Sequence, residues 1–149
     1  MEILKVNGLD KDFVLLCKKL EDFQYNLIPG LKEKGYTLTD DLDNVTGFIM
    51  YIDKKPIGSM GIKRVSDEVC NIVRVFVEEE YRGNGYSKQL FEKIENLIKE
   101  LNYKKAEIVA WCDAKPALRL YEKMGFNSSE EKVSEWYGGY KYVELYKNY

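Results

Sequence analysis

One stretch holds the residues whose types and spacing best suit chemistry: Arg82-Gly83-Asn84-Gly85-Tyr86-Ser87-Lys88. Two glycines one residue apart let the backbone bend sharply and lie close to a ligand. An amphipathic run follows at once, so the loop feeds a helix N-terminus. Unpaired N–H groups and the helix dipole there favour an anion such as a phosphate. Other chemistries are excluded by composition. The chain has no histidine, which removes a histidine general base, a Ser-His-Asp triad and any His-ligated metal. Its three cysteines, Cys17, Cys70 and Cys112, are far apart and lack metal spacing. They read as buried reduced thiols. Nothing in the sequence points to a carboxylate metal site, so no metal is expected.

The elements that position this loop follow from periodicity. Cys70-Asn71-Ile72-Val73-Arg74-Val75-Phe76-Val77 before it is rich in β-branched residues and reads as a strand. After it, Leu90, Phe91, Ile94, Leu97, Ile98 and Leu101 recur at spacings of three and four. That is one apolar helix face, which Asn102 can end. Lys105 to Trp111 is again strand-like, so 70–77 and 105–111 should be parallel neighbours across a βαβ unit.

Upstream, Glu2 to Asn7 predicts a short strand. Asp10 can cap a helix running to about Phe23. A second short helix is expected at Leu31 to Lys34, between Gly30 and Gly35, and an acidic loop from Tyr36 to Asn44. Val45 to Ile52 and Pro56 to Lys63 predict two antiparallel strands around Asp53-Lys54-Lys55. Downstream, Pro116 to Gly125 has proline near a helix start and glycine past its end. Lys132 to Tyr137 and Tyr140 to Lys147 predict a hairpin around Gly138-Gly139. The expected class is mixed α/β: a mostly antiparallel sheet with one parallel pair, flanked by helices, in a single domain over 1–149.

Length and charge narrow the partners. With 149 residues and a formal net charge of −2, no basic stripe supports nucleic-acid binding. No apolar run could span a bilayer and the N-terminus is not a signal peptide. The expectations are no nucleic acid, no membrane and a cytoplasmic location.

Three phosphate signatures can be compared. A Walker loop is absent. The dinucleotide fingerprint fails because Lys88 stands where its third glycine should be. The third fits: Arg82-Gly83-Asn84-Gly85-Tyr86-Ser87 resembles the Arg/Gln-x-x-Gly-x-Gly/Ala loop of the GNAT family of acetyl-CoA-dependent N-acetyltransferases. Val73 to Val77 is similar to that family's fourth strand. Ala117-Leu118-Arg119-Leu120-Tyr121-Glu122-Lys123-Met124-Gly125-Phe126 resembles its second signature, Ala-x-x-Leu-Tyr-x-x-x-Gly-Phe.

The resemblance implies acetyl transfer from acetyl-CoA to a primary amine, on a small molecule or a peptide. It implies that main-chain groups of the strand Val75-Phe76-Val77 hold the pantetheine arm. N–H groups from Arg82 through Ser87, with Lys88 beside them, would hold the pyrophosphate. Tyr121 would act on the departing thiolate. Ser87 replaces the usual Gly/Ala, Ala114 stands where asparagine is frequent, and Asn71 stands where some members carry a glutamate base. Proton removal would then fall to water, to Glu68 or to an acid of the substrate loops. The alternative reading is a non-catalytic acyl-CoA-binding regulatory module of the same fold. Plainer roles stand beside these: Arg82 and Lys88 as solvated charges, Tyr121 as a core aromatic, and Asp40, Asp41 and Asp43 as loop solvation. Trp111, Trp136, Tyr137 and Tyr140 read as core or rim aromatics or as walls of the acceptor pocket. A monomer and a homodimer are both permitted.

Overall fold

The computed structural model describes residues 1–135 and 137–149. Among these residues the elements run β1 (Glu2–Asn7), α1 (Lys11–Leu27), β2 (Val45–Ile52), β3 (Lys55–Arg64), β4 (Val69–Val77), α2 (Tyr86–Glu100) and β5 (Lys105–Trp111). They continue with α3 (Lys115–Lys123), β6 (Asn127–Ser128), β7 (Lys132–Ser134) and β8 (Tyr140–Asn148). The strands form one sheet in the order β1-β2-β3-β4-β5-β8-β6, with β7 also on β8. Every pairing is antiparallel except β4 with β5. The class is therefore mixed α/β with one parallel pair.

Local chemistry explains the element ends. Asp10 Oδ1 accepts from the N–H groups of Asp12 and Phe13, capping α1. Asp53 and Lys54 both take positive φ, 50° and 66°. That backbone matches the strand twist of a two-residue hairpin between β2 and β3. At the end of α2, Asn102 has φ 61° and the Tyr103 N–H reaches back to Ile98 O, closing the helix.

Period-two alternation then divides the core. Ile49 joins Phe13, Leu16, Cys17 and Leu20 of α1 on one face. Phe48 and Met50 join Leu90, Phe91 and Ile94 of α2 on the other. The sheet thus carries α1 on one side and α2 on the other, with Tyr121 of α3 in the α2 layer.

Some expectations are corrected. Leu31 to Lys34 is not a helix but part of a run of overlapping turns over 29–35, with Tyr36 N–H bonded to Leu31 O. Gly30 and Gly35 take φ 93° and 81° and leave too few residues between them to offset helix nucleation. The first strand of the last hairpin stops at Ser134 rather than Tyr137, and Trp136 lies outside the described residues. The two-residue β6 was not expected. Among the described residues no helix is long and apolar enough to cross a membrane.

The three cysteines are free and buried. Burial pushes the Cys17 and Cys70 thiols up to about 11; Cys112 is raised for the same reason. Thiolate is the reactive form. Ellman's reagent at pH 8 is therefore expected to titrate no thiol in the native protein and three in guanidinium chloride, read at 412 nm.

Candidate functional site

The site begins where the parallel pair fails. β4 and β5 are in register only over Val69–Asn71 with Lys105–Glu107. Beyond that point β4 is distorted. Between the pairs Gly61–Val73 and Ser59–Phe76, β3 holds one residue, Met60, and β4 holds two, Arg74 and Val75. This is a β-bulge, which bends the strand that carries the extra residue. Arg74 takes φ 58°, a conformation costing roughly 1–2 kcal/mol for a residue with a Cβ. Two bonds hold it there: Ser59 Oγ donates to Arg74 O at 2.9 Å, and Arg74 Nε donates to Leu38 O at 2.9 Å. The strands diverge and leave a cleft of about 1050 Å³.

One wall is β4 itself. Glu78 N–H bonds Ile57 O on the β3 side. Alternation along the strand turns the main-chain groups of Val77 and Val75 to the opposite edge, toward the cleft. Val75, Phe76 and Val77 all line it.

The glycine loop closes that end. Gly83 and Gly85 take φ 82° and 75°, and Gly85 is the N-cap of α2. A Cβ at either would meet no protein atom within 4 Å, so the loop's outer face is open to a ligand. The Arg82 N–H is bonded to Glu79 O at 3.2 Å, and its Nε donates to Val77 O at 2.8 Å. Its guanidinium lies 4.8 Å from the Phe23 ring centroid. The N–H groups from Gly83 through Lys88 have no backbone partner among the described residues. They are the open donors of this helix start. Arg82, Gly83, Gly85, Tyr86, Ser87 and Lys88 line the cleft; Asn84 does not. Its Nδ2 turns back to Tyr81 O and Arg82 O, at 3.0 and 3.4 Å, and shapes the loop from inside.

Tyr121 reaches the same cleft from α3. Its ring is 6% exposed and burial pushes its phenol up, so it stays protonated. The spacing of its motif has a local cause. Gly125 takes φ 90° and the Phe126 N–H returns to Tyr121 O at 3.0 Å, a helix end of the Schellman type. The Phe126 ring then packs 6.3 Å from the Tyr121 ring and 5.7 Å from Phe91, fixing the tyrosine's direction.

The far end of the cleft is aromatic. Gln24 Oε1 accepts from Tyr36 Oη at 2.7 Å and from Trp111 Nε1 at 3.3 Å. Tyr36 lies 5.9 Å from Trp111 and 5.1 Å from Tyr137, and Trp111 lies 6.4 Å from Tyr142. The loop bearing Tyr36 is pinned twice. Glu21 Oε2 accepts from Thr37 Oγ1 and from the Leu38 N–H, both at 2.8 Å, while Leu38 O holds Arg74. Tyr140 is elsewhere, its hydroxyl on Pro29 O.

Sequence reasoning missed the bulge at Arg74. The resemblance implied that residues 23 to 44 and 130 to 142 set the acceptor, but Phe23, Gln24 and Leu38 were not singled out, because helical periodicity marks a buried face but not the cleft a helix end adjoins. Asn71 lines the cleft, whereas Glu68 does not. Glu68 sits in the turn before β4, its carbonyl bonded to the N–H groups of Lys104 and Lys105. Among the described lining residues Asp113 is the one carboxylate.

Known proteins resemble this chain across the same regions. The acetyltransferase from Streptococcus agalactiae aligns with 17% identity and TM-score 0.76, covering 99% of this chain and 98% of its own. The GNAT family acetyltransferase from Elizabethkingia anophelis, solved with acetyl-CoA bound, aligns with 19% identity and TM-score 0.69, covering 99% and 97%. The IAA acetyltransferase from Bacillus cereus aligns with 16% identity and TM-score 0.72, covering 99% of both. At such identities these likenesses speak for the fold. The model of the acetyltransferase (GNAT) family matches residues 16–126, a span that holds both motifs and well over half of the sequence. The chain belongs to the acetyltransferase (GNAT) family and is an acyltransferase enzyme.

Proposed function

We propose that the protein moves the acetyl group of acetyl-CoA to a primary amine by direct attack, without a covalent enzyme intermediate. The observation that carries the reading is that both motifs line one cleft, the open-backbone loop at one end and a protonated phenol along the wall. The pantetheine arm pairs with the cleft edge of β4, at the main-chain groups of Val75 and the N–H of Val77, whose carbonyl already accepts from Arg82 Nε. The pyrophosphate takes the N–H groups of Gly83 through Lys88. A neutral amine adds to the thioester carbonyl, and the oxyanion is held by a main-chain N–H near Val75. The intermediate collapses, the C–S bond breaks, and the nitrogen's extra proton leaves to water. Thiols titrate near 8.5 and an unperturbed phenol near 10, and burial raises Tyr121 further. Complete proton transfer to sulfur therefore runs uphill. The step Tyr121 supports is hydrogen-bond donation to the departing sulfur, which takes its proton as it leaves the site.

Thiol release from acetyl-CoA across a panel of primary amines tests the reading. Turnover with any amine supports it. Tight CoA binding with no thiol release would favour the non-catalytic module, for which Asn71 and Ala114 speak. Stronger thermal protection by ATP than by CoA would favour a nucleotide-binding protein. Gly85→Ala is a further check. A side chain at φ 75° costs roughly 1–2 kcal/mol and stands on the face the pyrophosphate approaches. The expected result is a KM for acetyl-CoA raised about tenfold, with kcat at saturation little changed.

A further inference from the structure

The aromatic end of the cleft is chemically distinct from the rest. Tyr36, Trp111, Tyr137 and Tyr142 all line it, and the ring pairs Tyr36–Tyr137, Trp111–Tyr137 and Trp111–Tyr142 meet near perpendicular, at 89°, 82° and 81°. Edge-to-face clusters of this kind accept one more flat ring in the same geometry. The amide oxygen beside them, Gln24 Oε1, already accepts from Tyr36 and Trp111, so it is committed to holding the walls. The charges point the same way. The cleft is lined by Arg74 and Arg82, while its one carboxylate among the described lining residues, Asp113, is exposed to solvent. A second ammonium on an acceptor would meet guanidinium groups and no buried acid, an arrangement that disfavours polycations.

We infer that the acceptor is a primary monoamine whose nitrogen is carried on a flat aromatic body seated among Tyr36, Trp111, Tyr137 and Tyr142. This rests on the acetyl-transfer reading above. It also accounts for the amide at Asn71, where a carboxylate base would serve. Apolar walls and nearby guanidinium groups both destabilise an ammonium ion and favour the neutral amine. The nucleophile is then prepared by its surroundings, with its proton passing to water.

The experiment has two readouts: kcat/KM from thiol release, and amine binding to the CoA-loaded protein by titration calorimetry. The amines are 2-phenylethylamine, n-hexylamine and spermidine. 2-Phenylethylamine is expected to lead both others in kcat/KM by about tenfold or more. Trp111→Leu should erase its lead over n-hexylamine while the KM for acetyl-CoA holds; Tyr137→Leu is the second variant should Trp111→Leu fail to fold. Gln24→Glu should raise spermidine relative to 2-phenylethylamine by supplying the missing acid. Turnover that favours spermidine or n-hexylamine would overturn the aromatic seat and leave acetyl transfer standing. Calorimetric binding of 2-phenylethylamine, lost in Trp111→Leu, with no thiol release from any amine would support the seat and overturn acetyl transfer. Neither binding nor turnover of 2-phenylethylamine would overturn the seat.

Discussion

Tyr121→Phe is expected to lower kcat by about 10²- to 10³-fold, the loss that follows removal of one hydrogen-bond donor to developing negative charge. The substitution removes one hydroxyl and leaves the ring. That ring packs against Phe126 and is 6% exposed, so the variant should fold and bind acetyl-CoA with unchanged affinity. The loss falls on the step in which the sulfur departs, because negative charge then appears beside the phenol. Acceptors with more nucleophilic nitrogens should not rescue the rate. Rapid-quench measurement of thiol release under single-turnover conditions would check this, with CoA affinity from calorimetry as the control. Turnover equal to wild type would remove Tyr121 from the chemistry and return it to a core role.

Phe13→Ala has the second large effect, and it acts on stability. Phe13 is fully buried and lies against two bare stretches of sheet. A Cβ on Gly47 would stand 2.3 Å from its ring, and one on Gly61 would stand 3.2 Å from it. The ring therefore fills the space that two missing side chains leave, and it is the anchor by which α1 docks on β2 and β3. Phenylalanine-to-alanine changes at such sites cost about 3–5 kcal/mol, against roughly 5–15 kcal/mol for a whole domain. Urea unfolding should show a midpoint lowered in proportion, with the slope preserved. Because α1 also carries Phe23 and Gln24 to the cleft, residual activity should show a raised KM for the amine before any change in the KM for acetyl-CoA. A loss of unfolding free energy below about 1 kcal/mol, well under the expected range, would mean that the helix docks by other contacts.

What was legible in the sequence was what local rules determine. The Gly83-Asn84-Gly85 spacing implied a sharply bent backbone with open N–H groups, and Gly83 and Gly85 do take positive φ beside N–H groups with no backbone partner among the described residues. The βαβ unit followed from the length between two apolar strands. Gly125-Phe126 was readable as a helix stop, though not as the contact that aims Tyr121. Non-local features were hidden. The bulge is one: counting by twos places Val73 and Val75 on the same face, yet Val73 packs with α1's cluster and Val75 with α2's. No residue type announces it, since arginine has no preference for φ 58°. Trp111 and Tyr137 read as candidate walls of the acceptor pocket and line the cleft, but the network that joins the far end was hidden for a related reason. Gln24, Tyr36 and Trp111 are separated by 87 positions at their extremes and share only a hydrogen-bonding oxygen. The turn at Leu31 to Lys34 misled because its residues suit a helix while its neighbours forbid one of useful length.

The bulge has an evolutionary meaning as well. Removing Arg74 alone would let Met60 face Val75 in an unbroken ladder, with each flanking side chain still on its present layer. Such a one-codon deletion should leave a well-folded sheet, relieved of a strained residue, but with Leu38 untethered and the gap beside β5 narrowed. Circular dichroism would read native and acetyl-CoA binding would be lost. Foldability and activity are thus written separately on one strand, and a lineage could shed the second while keeping the first.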